Sequence, residues 1–175
     1  VITTARLILR PWRESDLEPF AAQNADPTAM RFLAGALTRE QSDAYVARAE
    51  RHHRDHGFGK WAVEAPGIAG FIGAVGLSRV RFDASFTPAV EIAWRLHTRY
   101  WGMGYATEAA RAAIGDGFAR IGLEEIIAMT ALGNTGSIAV MERLGMTRSI
   151  EFDYPTLPAE SPLRRHILYR LRRES

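Results

Sequence analysis

The run of apolar periodicities predicts a mixed α+β domain built on a central, mostly antiparallel sheet. Three observations carry that prediction. Two apolar runs, Lys60–Ala65 and Ile68–Val80, are joined only by the turn Pro66-Gly67, which marks an antiparallel hairpin. A strand pattern at Ala89–Leu96 leads through a glycine-containing loop to a helix pattern at Tyr105–Ile121 and a further strand at Glu125–Ala131. No repeat, low-complexity stretch or linker divides the 175 residues, a length suited to one domain spanning 1–175.

Taken in order, Arg6–Trp12 alternates enough to form a first strand, ended by Pro11. Ser15-Asp16-Leu17-Glu18 reads as a helix start, with the Ser hydroxyl accepting from orphan N–H groups and Glu18 answering three positions on. That helix runs through Gln23, and Asp26-Pro27 makes a turn or a new helix start. Thr38 and Gln41 form a second capping box, opening a helix to about His56 that Gly57 stops. After the hairpin, the loop Arg81–Pro88 carries Phe82 and Phe86. In the next strand Val90, Ile92, Trp94 and Leu96 share one face, while Glu91, Ala93 and Arg95 point the other way. Ala106, Ala109, Ala110, Ala113, Ile114, Gly117, Phe118 and Ile121 line one stripe of the following helix. Gly133-Asn134-Thr135-Gly136 opens a helix through Leu144, with Gly145 as its left-handed C′ residue. Strands near Thr147–Asp153 and Arg165–Leu171 close the chain. The order β-α-α-β-β-β-α-β-α-β-β contains seven strands and about four helices.

Composition narrows the chemistry. With no cysteine there is no disulfide framework, thiolate zinc site, iron–sulfur cluster or cysteine nucleophile. The apolar runs fall short of the about 20 residues that cross a bilayer, so a soluble, cytoplasmic protein with no membrane partner is expected. A net charge of +2 gives little electrostatic pull on nucleic acid, and no nucleic-acid partner is expected. The arginines at 164, 165, 170, 172 and 173 read as the solvated face of a terminal strand. Lys60 is the single lysine among the 22 basic residues, and with the abundant alanine this resembles the coding bias of a GC-rich bacterial genome. His52 and His56 have the spacing of a metal pair but lack the glutamate of H-E-x-x-H, so a polar helix face is expected and no metal.

The segment that carries chemistry is Arg99-Tyr100-Trp101-Gly102-Met103-Gly104-Tyr105-Ala106, between a strand and a helix. Two glycines one residue apart let backbone N–H groups approach a ligand without Cβ obstruction. They do so where the helix presents unpaired donors and its positive dipole end, an arrangement that cradles phosphate. Hydrogen bonds to a charged group contribute roughly 1.5–3 kcal/mol each, more than the about 0.3–1 kcal/mol of the dipole. The segment is not a nucleotide P-loop, because Tyr105-Ala106 stands where Lys-Ser/Thr is needed. A dinucleotide fingerprint wants Gly or Ala where Thr107 stands.

The run Arg99-x-x-Gly102-x-Gly104-Tyr105-Ala106 resembles the acetyl-CoA pyrophosphate loop of the GNAT-superfamily acyltransferases. The likeness extends to Arg6–Trp12, Val90–Leu96, Gly133-Asn134-x-x-Ser137, Val140–Met146 and His166–Leu171, and is nearest to the RimJ/RimL-type branch. It implies a sheet splayed at the acetyl-CoA site and acetyl transfer to a primary amine. The expected acceptor is a protein N-terminus of ribosomal-protein type; a small amine (amino acid, polyamine or antibiotic) is the alternative. A non-catalytic acyl-CoA-binding module is a further alternative.

By the same resemblance the main chain of Trp94, Arg95 and Leu96 meets the pantetheine arm, and Asn134 contacts it. Gly102, Met103, Gly104, Tyr105 and Ala106 bind the pyrophosphate, with Arg99 adding a cation. Glu91 is the expected base, with Glu151 and Asp153 as weaker candidates. A base is useful because a lysine amine, pKa about 10.4, is mostly protonated at pH 7, an α-amine, about 7.7–8.0, less so. Many relatives place a tyrosine where Met141 stands here, so the proton donor to the departing thiolate is expected at Ser137. Phe82 or Phe86 and Tyr154 are candidates to line an acceptor pocket, and a homodimer through an exposed edge strand is an open expectation.

Overall fold

The computed structural model describes residues 1–174. Its strands are β1 (Ile2–Thr3), β2 (Ile8–Arg10), β3 (Lys60–Ala65), β4 (Ala69–Arg79), β5 (Val90–Leu96), β6 (Glu125–Ala131), β7 (Thr147–Asp153) and β8 (Arg165–Arg172). Its helices are α1 (Leu17–Ala25), α2 (Pro27–Met30), α3 (Arg39–His56), α4 (Tyr105–Ala119) and α5 (Thr135–Arg143). All eight strands lie in one sheet, ordered β1-β2-β3-β4-β5-β6-β8-β7, and only the β5–β6 junction is parallel.

The mixed α+β class holds, with one strand more than the seven the periodicity predicts. The expected first strand, Arg6–Trp12, contracts to β2 because a turn lies immediately before it. Thr4 N–H donates to the Leu7 carbonyl and Leu7 N–H donates to Thr4 Oγ1, both at 2.9 Å, and the chain folds back as β1. The helix count rises from about four to five because Asp26-Pro27 starts a separate turn of helix. Asp26 Oδ1 accepts from Thr28 N–H at 2.8 Å there.

The helix start expected at Ser15 is a correction of residue. Asp16, not Ser15, accepts from the Arg13 N–H (2.8 Å), closing a 3-10 turn over Glu14–Asp16, and α1 begins at Leu17. Asp16 is held there by Arg10, whose guanidinium meets both of its carboxylate oxygens at 2.7 and 2.9 Å. Arg10 is 3% exposed and also bonds Glu64 and the Gly70 carbonyl, so one buried cation ties β2, β3, β4 and the entry to α1. Removing one member of such a pair strands a buried charge, at a cost of about 3–5 kcal/mol.

The two faces of the sheet are packed differently. On one face α4 lays Ala109, Ala110 and Ala113 against Leu77, Ile92, Leu96 and Ile126. Gly117 has no room for a side chain: a Cβ there would stand 2.7 Å from the Leu77 Cδ1. On the other face Trp12, Phe20 and Val46, from the β2–α1 segment, α1 and α3, cover Ala62 and Ala74. The capping box at Thr38 and Gln41 is present, and Gly57 and Gly145 end α3 and follow α5 at φ 76° and 77°. The imidazole of His52 is engaged on both nitrogens, one on the Phe58 carbonyl (2.8 Å) and one accepting from Arg79 N–H (3.1 Å). The arginines of β8 face acids: Arg170 and Arg172 meet Glu125 at 2.6 and 3.1 Å, and Arg165 meets Asp153 at 3.3 Å. Among the described residues no helix is long and apolar enough to cross a membrane.

Candidate active site

The site begins where the sheet comes apart. Strands β5 and β6 share one rung, Glu91 opposite Ile127, and β5 runs on to Leu96 without pairing to β6 again. Beyond that rung lies a wedge between two parallel strands, floored by α4 on one face.

The alternation of an antiparallel ladder decides which main-chain groups face this wedge. His97 N–H donates to the Ile72 carbonyl and Val80 N–H to the Ala89 carbonyl, which fixes the phase of the β4–β5 ladder. In that phase Glu91, Ala93 and Arg95 bond to β4, while Ile92, Trp94 and Leu96 turn N–H and C=O toward the wedge. Of the three residues expected to offer main-chain groups there, Trp94 and Leu96 therefore face it. Arg95 spends its main chain on Ala74 and presents its side chain to the opposite face. The Leu96 carbonyl already accepts from the Trp101 indole at 2.9 Å.

At the mouth of the wedge the loop before α4 has the predicted form. Gly102 and Gly104 sit at φ 74° and 78°, conformations that favour glycine. Gly104 is the N-cap of α4 and supplies no side-chain cap, so the amides of Tyr105, Ala106 and Thr107 keep free donors at the positive end of the helix. Trp101 and Met103 are exposed, and Arg99 stacks its guanidinium over Tyr100, 5.5 Å from the ring centroid. These features fit a pyrophosphate: two glycines at positive φ, helix-start donors without internal acceptors, and an exposed arginine three residues before Gly102.

Sequence reasoning missed what holds this loop. Arg6 donates to the Met103 carbonyl at 3.0 Å and lies over the Tyr105 ring at 4.7 Å. It is held in turn by Glu108, whose carboxylate accepts from the Arg6 main chain and guanidinium and from Thr4 Oγ1 at 2.7–2.9 Å. Burial pushes the Glu108 carboxyl up, but the hydrogen bonds from Thr4 and Arg6 outweigh it and hold the group below the usual carboxylate range. The bond to the Met103 carbonyl anchors the peptide plane that Met103 shares with Gly104. The only available signal was the acid four residues after Gly104, and its partner lies 102 positions away.

Across the wedge, Asn134 caps α5 by accepting from Ser137 N–H at 3.2 Å. Its amide hydrogens go to Thr130 Oγ1 (2.9 Å) and Ser137 Oγ (3.1 Å). Ser137 Oγ also accepts from the Trp94 indole at 3.3 Å. Two donors thus occupy the acceptor capacity of the hydroxyl, and its own proton is left to donate. Met141 is 1% exposed and part of the core.

Glu91 projects to the face opposite α4, its side chain 23% exposed. Ser78 Oγ donates to it at 3.1 Å, and the Lys60 ammonium stands 3.7 Å away. Burial acts to lower the Lys60 ammonium, but the adjacent Tyr45 and Glu91 oxygens hold it above its ordinary value. Arg95 lies over the Tyr45 ring at 5.1 Å and donates to Asn24 Oδ1 at 2.8 Å. Phe82, Phe86, Phe152 and Tyr154 form an aromatic cluster on the far side. Tyr154 is pushed up by burial and then by the Glu91 charge. Glu151 and Asp153 sit instead on edge strand β7, engaged with Arg148 and Arg165, two strands from β6.

The fold has known counterparts. The acetyltransferase (GNAT) domain family matches residues 6–147. An uncharacterized protein of Bacillus subtilis, YkkB, is 30% identical over 146 residues, covering 83% of this chain and 84% of its own. A GNAT-family acetyltransferase structure from Bacillus anthracis superposes with a TM-score of 0.81 at 26% identity, over 98% of this chain and 97% of its own. RimL, a ribosomal L7/L12 alpha-N-protein acetyltransferase in complex with coenzyme A, shares the fold at 16% identity and TM-score 0.76, covering 97% of this chain and 95% of its own. A glycine-cradled helix start beside a splayed parallel junction, found where this family match runs, has one reading: the chain belongs to the GNAT family of acetyltransferases.

Proposed function

We propose that this acetyltransferase moves the acetyl group of acetyl-CoA to the α-amine of a protein or peptide N-terminus. The observation that carries the choice of acceptor is an open groove of about 430 Å³ between Leu33–Gly35 and Leu157–Leu163. It runs beside the end of β6, where Leu132 N–H bonds the Arg165 carbonyl and Phe32 lies against Gly133. An open groove of this kind supports a peptide acceptor, whose chain needs room beyond the reacting nitrogen, whereas a closed pocket would suit a small amine.

In this reading the amides of Gly102–Ala106 and the Arg99 cation grip the diphosphate, and the main chain of Trp94 and Leu96 aligns the pantetheine arm, with Asn134 opposite. Bound acetyl-CoA supplies the electrophile, a thioester carbonyl. Glu91 takes the proton from the incoming ammonium, directly or through water. Ser137, its hydroxyl proton directed outward by the two donors it accepts, supplies a proton to the departing sulfur. Holding both reactants in place contributes roughly 7–11 kcal/mol to lowering the barrier, and the base a further ~10²–10⁴-fold.

The deciding experiment incubates the protein and acetyl-CoA with peptides of free N-terminus, amino acids and polyamines, and reads products by mass. Acetylated peptide α-amines are the expected outcome. Preferential acetylation of a polyamine or a side-chain amine would overturn the acceptor assignment, and acetyl-CoA binding without turnover would favour a non-catalytic module.

A further inference from the structure

The acceptor side of Glu91 carries more positive charge than the carboxylate can balance. Lys60 from β3 stands beside it at 3.7 Å, and Arg95 follows on the same face of β5 beyond Ala93, with Gly76 paired to both Lys60 and Ala93 across β3, β4 and β5. Both cations meet the ring of Tyr45 of α3, the Lys60 ammonium 5.6 Å and the Arg95 guanidinium 5.1 Å from its centroid. Lys60 shares the single carboxylate of Glu91. Among the described residues no carboxylate reaches Arg95, whose fork of donors meets one neutral amide oxygen and one aromatic face. A half-buried guanidinium with most of its five donors unspent is matched best by a planar anion that takes two parallel bonds. Arg81 adds to the same field on the aromatic side, where its charge and that of Lys60 act on Tyr154.

We infer that the acceptor carries a carboxylate near its reacting nitrogen, and that Arg95 and Lys60 receive it while Glu91 faces the amine. The inference rests on the acetyltransferase reading and narrows its acceptor class. The carboxylate belongs either to the side chain of an acidic first residue or to a free amino acid. The same cations repel a polycationic amine and favour the uncharged, nucleophilic form of the acceptor nitrogen.

Two matched pairs test this with the intact enzyme: peptides beginning with glutamate or with glutamine, and a free amino acid against its amide. Thiol release at saturating acetyl-CoA gives kcat/KM for each. In at least one pair the acid is expected to exceed its neutral partner by about tenfold or more, carried by KM, and the responding pair identifies the source of the carboxylate. Arg95→Gln and Lys60→Met should each shrink that ratio, a readout insensitive to a general loss of rate. Equal values within both pairs, or a polyamine outrunning every acid, would overturn the inference while leaving the acetyltransferase reading intact. No thiol release with any amine would overturn both.

Discussion

The two sides of the reaction centre are made of different material. In the proposed reading the donor side is mainly main chain: amides of a glycine loop, the N-terminus of α4, and the inward-facing groups of Trp94 and Leu96. The proposed acceptor side is made of side chains, with Tyr45, Lys60, Ser78, Glu91 and Arg95 brought together from α3, β3, β4 and β5. A main-chain site is insensitive to most substitutions but intolerant of a changed backbone conformation. A side-chain site can be retuned one residue at a time. That asymmetry suits a fold that holds one donor constant while its acceptors differ.

Four substitutions sharpen the contrast. Glu91→Gln should cause the largest change, a fall in kcat of roughly 10²–10⁴-fold with acetyl-CoA affinity nearly intact. The same assay on Ser137→Ala should show a smaller loss, and an unchanged kcat and pH–rate profile for Glu91→Gln would remove that residue from the chemistry.

Gly104→Glu should act on the opposite side. At φ 78° a side chain is strained, a Cβ would stand 3.3 Å from Arg6 Nη2, and the new carboxylate would oppose the diphosphate. Losing one or two charged hydrogen bonds predicts at least about a tenfold weaker acetyl-CoA dissociation constant by calorimetry. Unaltered affinity would break the assignment of the loop.

Glu108→Gln should have the smallest effect, a few-fold rise in KM for acetyl-CoA with kcat retained, because it loosens Arg6 and not the donors themselves. It also carries a pH signature. The Glu108 carboxyl is held below its unfolded value, so its contribution to stability is fully present above that value and fades as pH falls through the lowered one. Melting curves of wild type and variant should therefore differ at neutral pH and converge in acid. A constant gap would contradict the assigned ion pair.

Legibility in the sequence followed the same division. Strands β6 and β7 have the predicted bounds, and Thr38 with Gln41, Gly57 and Gly145 mark their helix ends as read, because each signal lies within a few residues. The glycine loop was legible for the same reason. The β1–β2 turn and the Asp16 cap were not, since their local bonds are reinforced by partners outside the local pattern. Thr4 is also bonded by Glu108 from α4, and Asp16 is taken by Arg10. Lys60 stood out only as the single lysine, and its place beside Glu91 follows from the β3–β4–β5 register. The alternation of the strand placed the Arg95 side chain on the Glu91 face, and only the phase of the ladder shows that its main chain is turned to β4 and not to the wedge.

The lone rung between Glu91 and Ile127 has a mechanical consequence. Strands β1–β5 and strands β6–β8 are two plates riveted at one point and braced from behind by α4. In the proposed reading coenzyme A lies in that gap, bonded to the inner edge of β5, and would serve as a removable seam. Saturation at about a hundred times the dissociation constant would add ~2.7 kcal/mol to global stability, and amide exchange along the inner edges of β5 and β6 should slow most when that seam is closed.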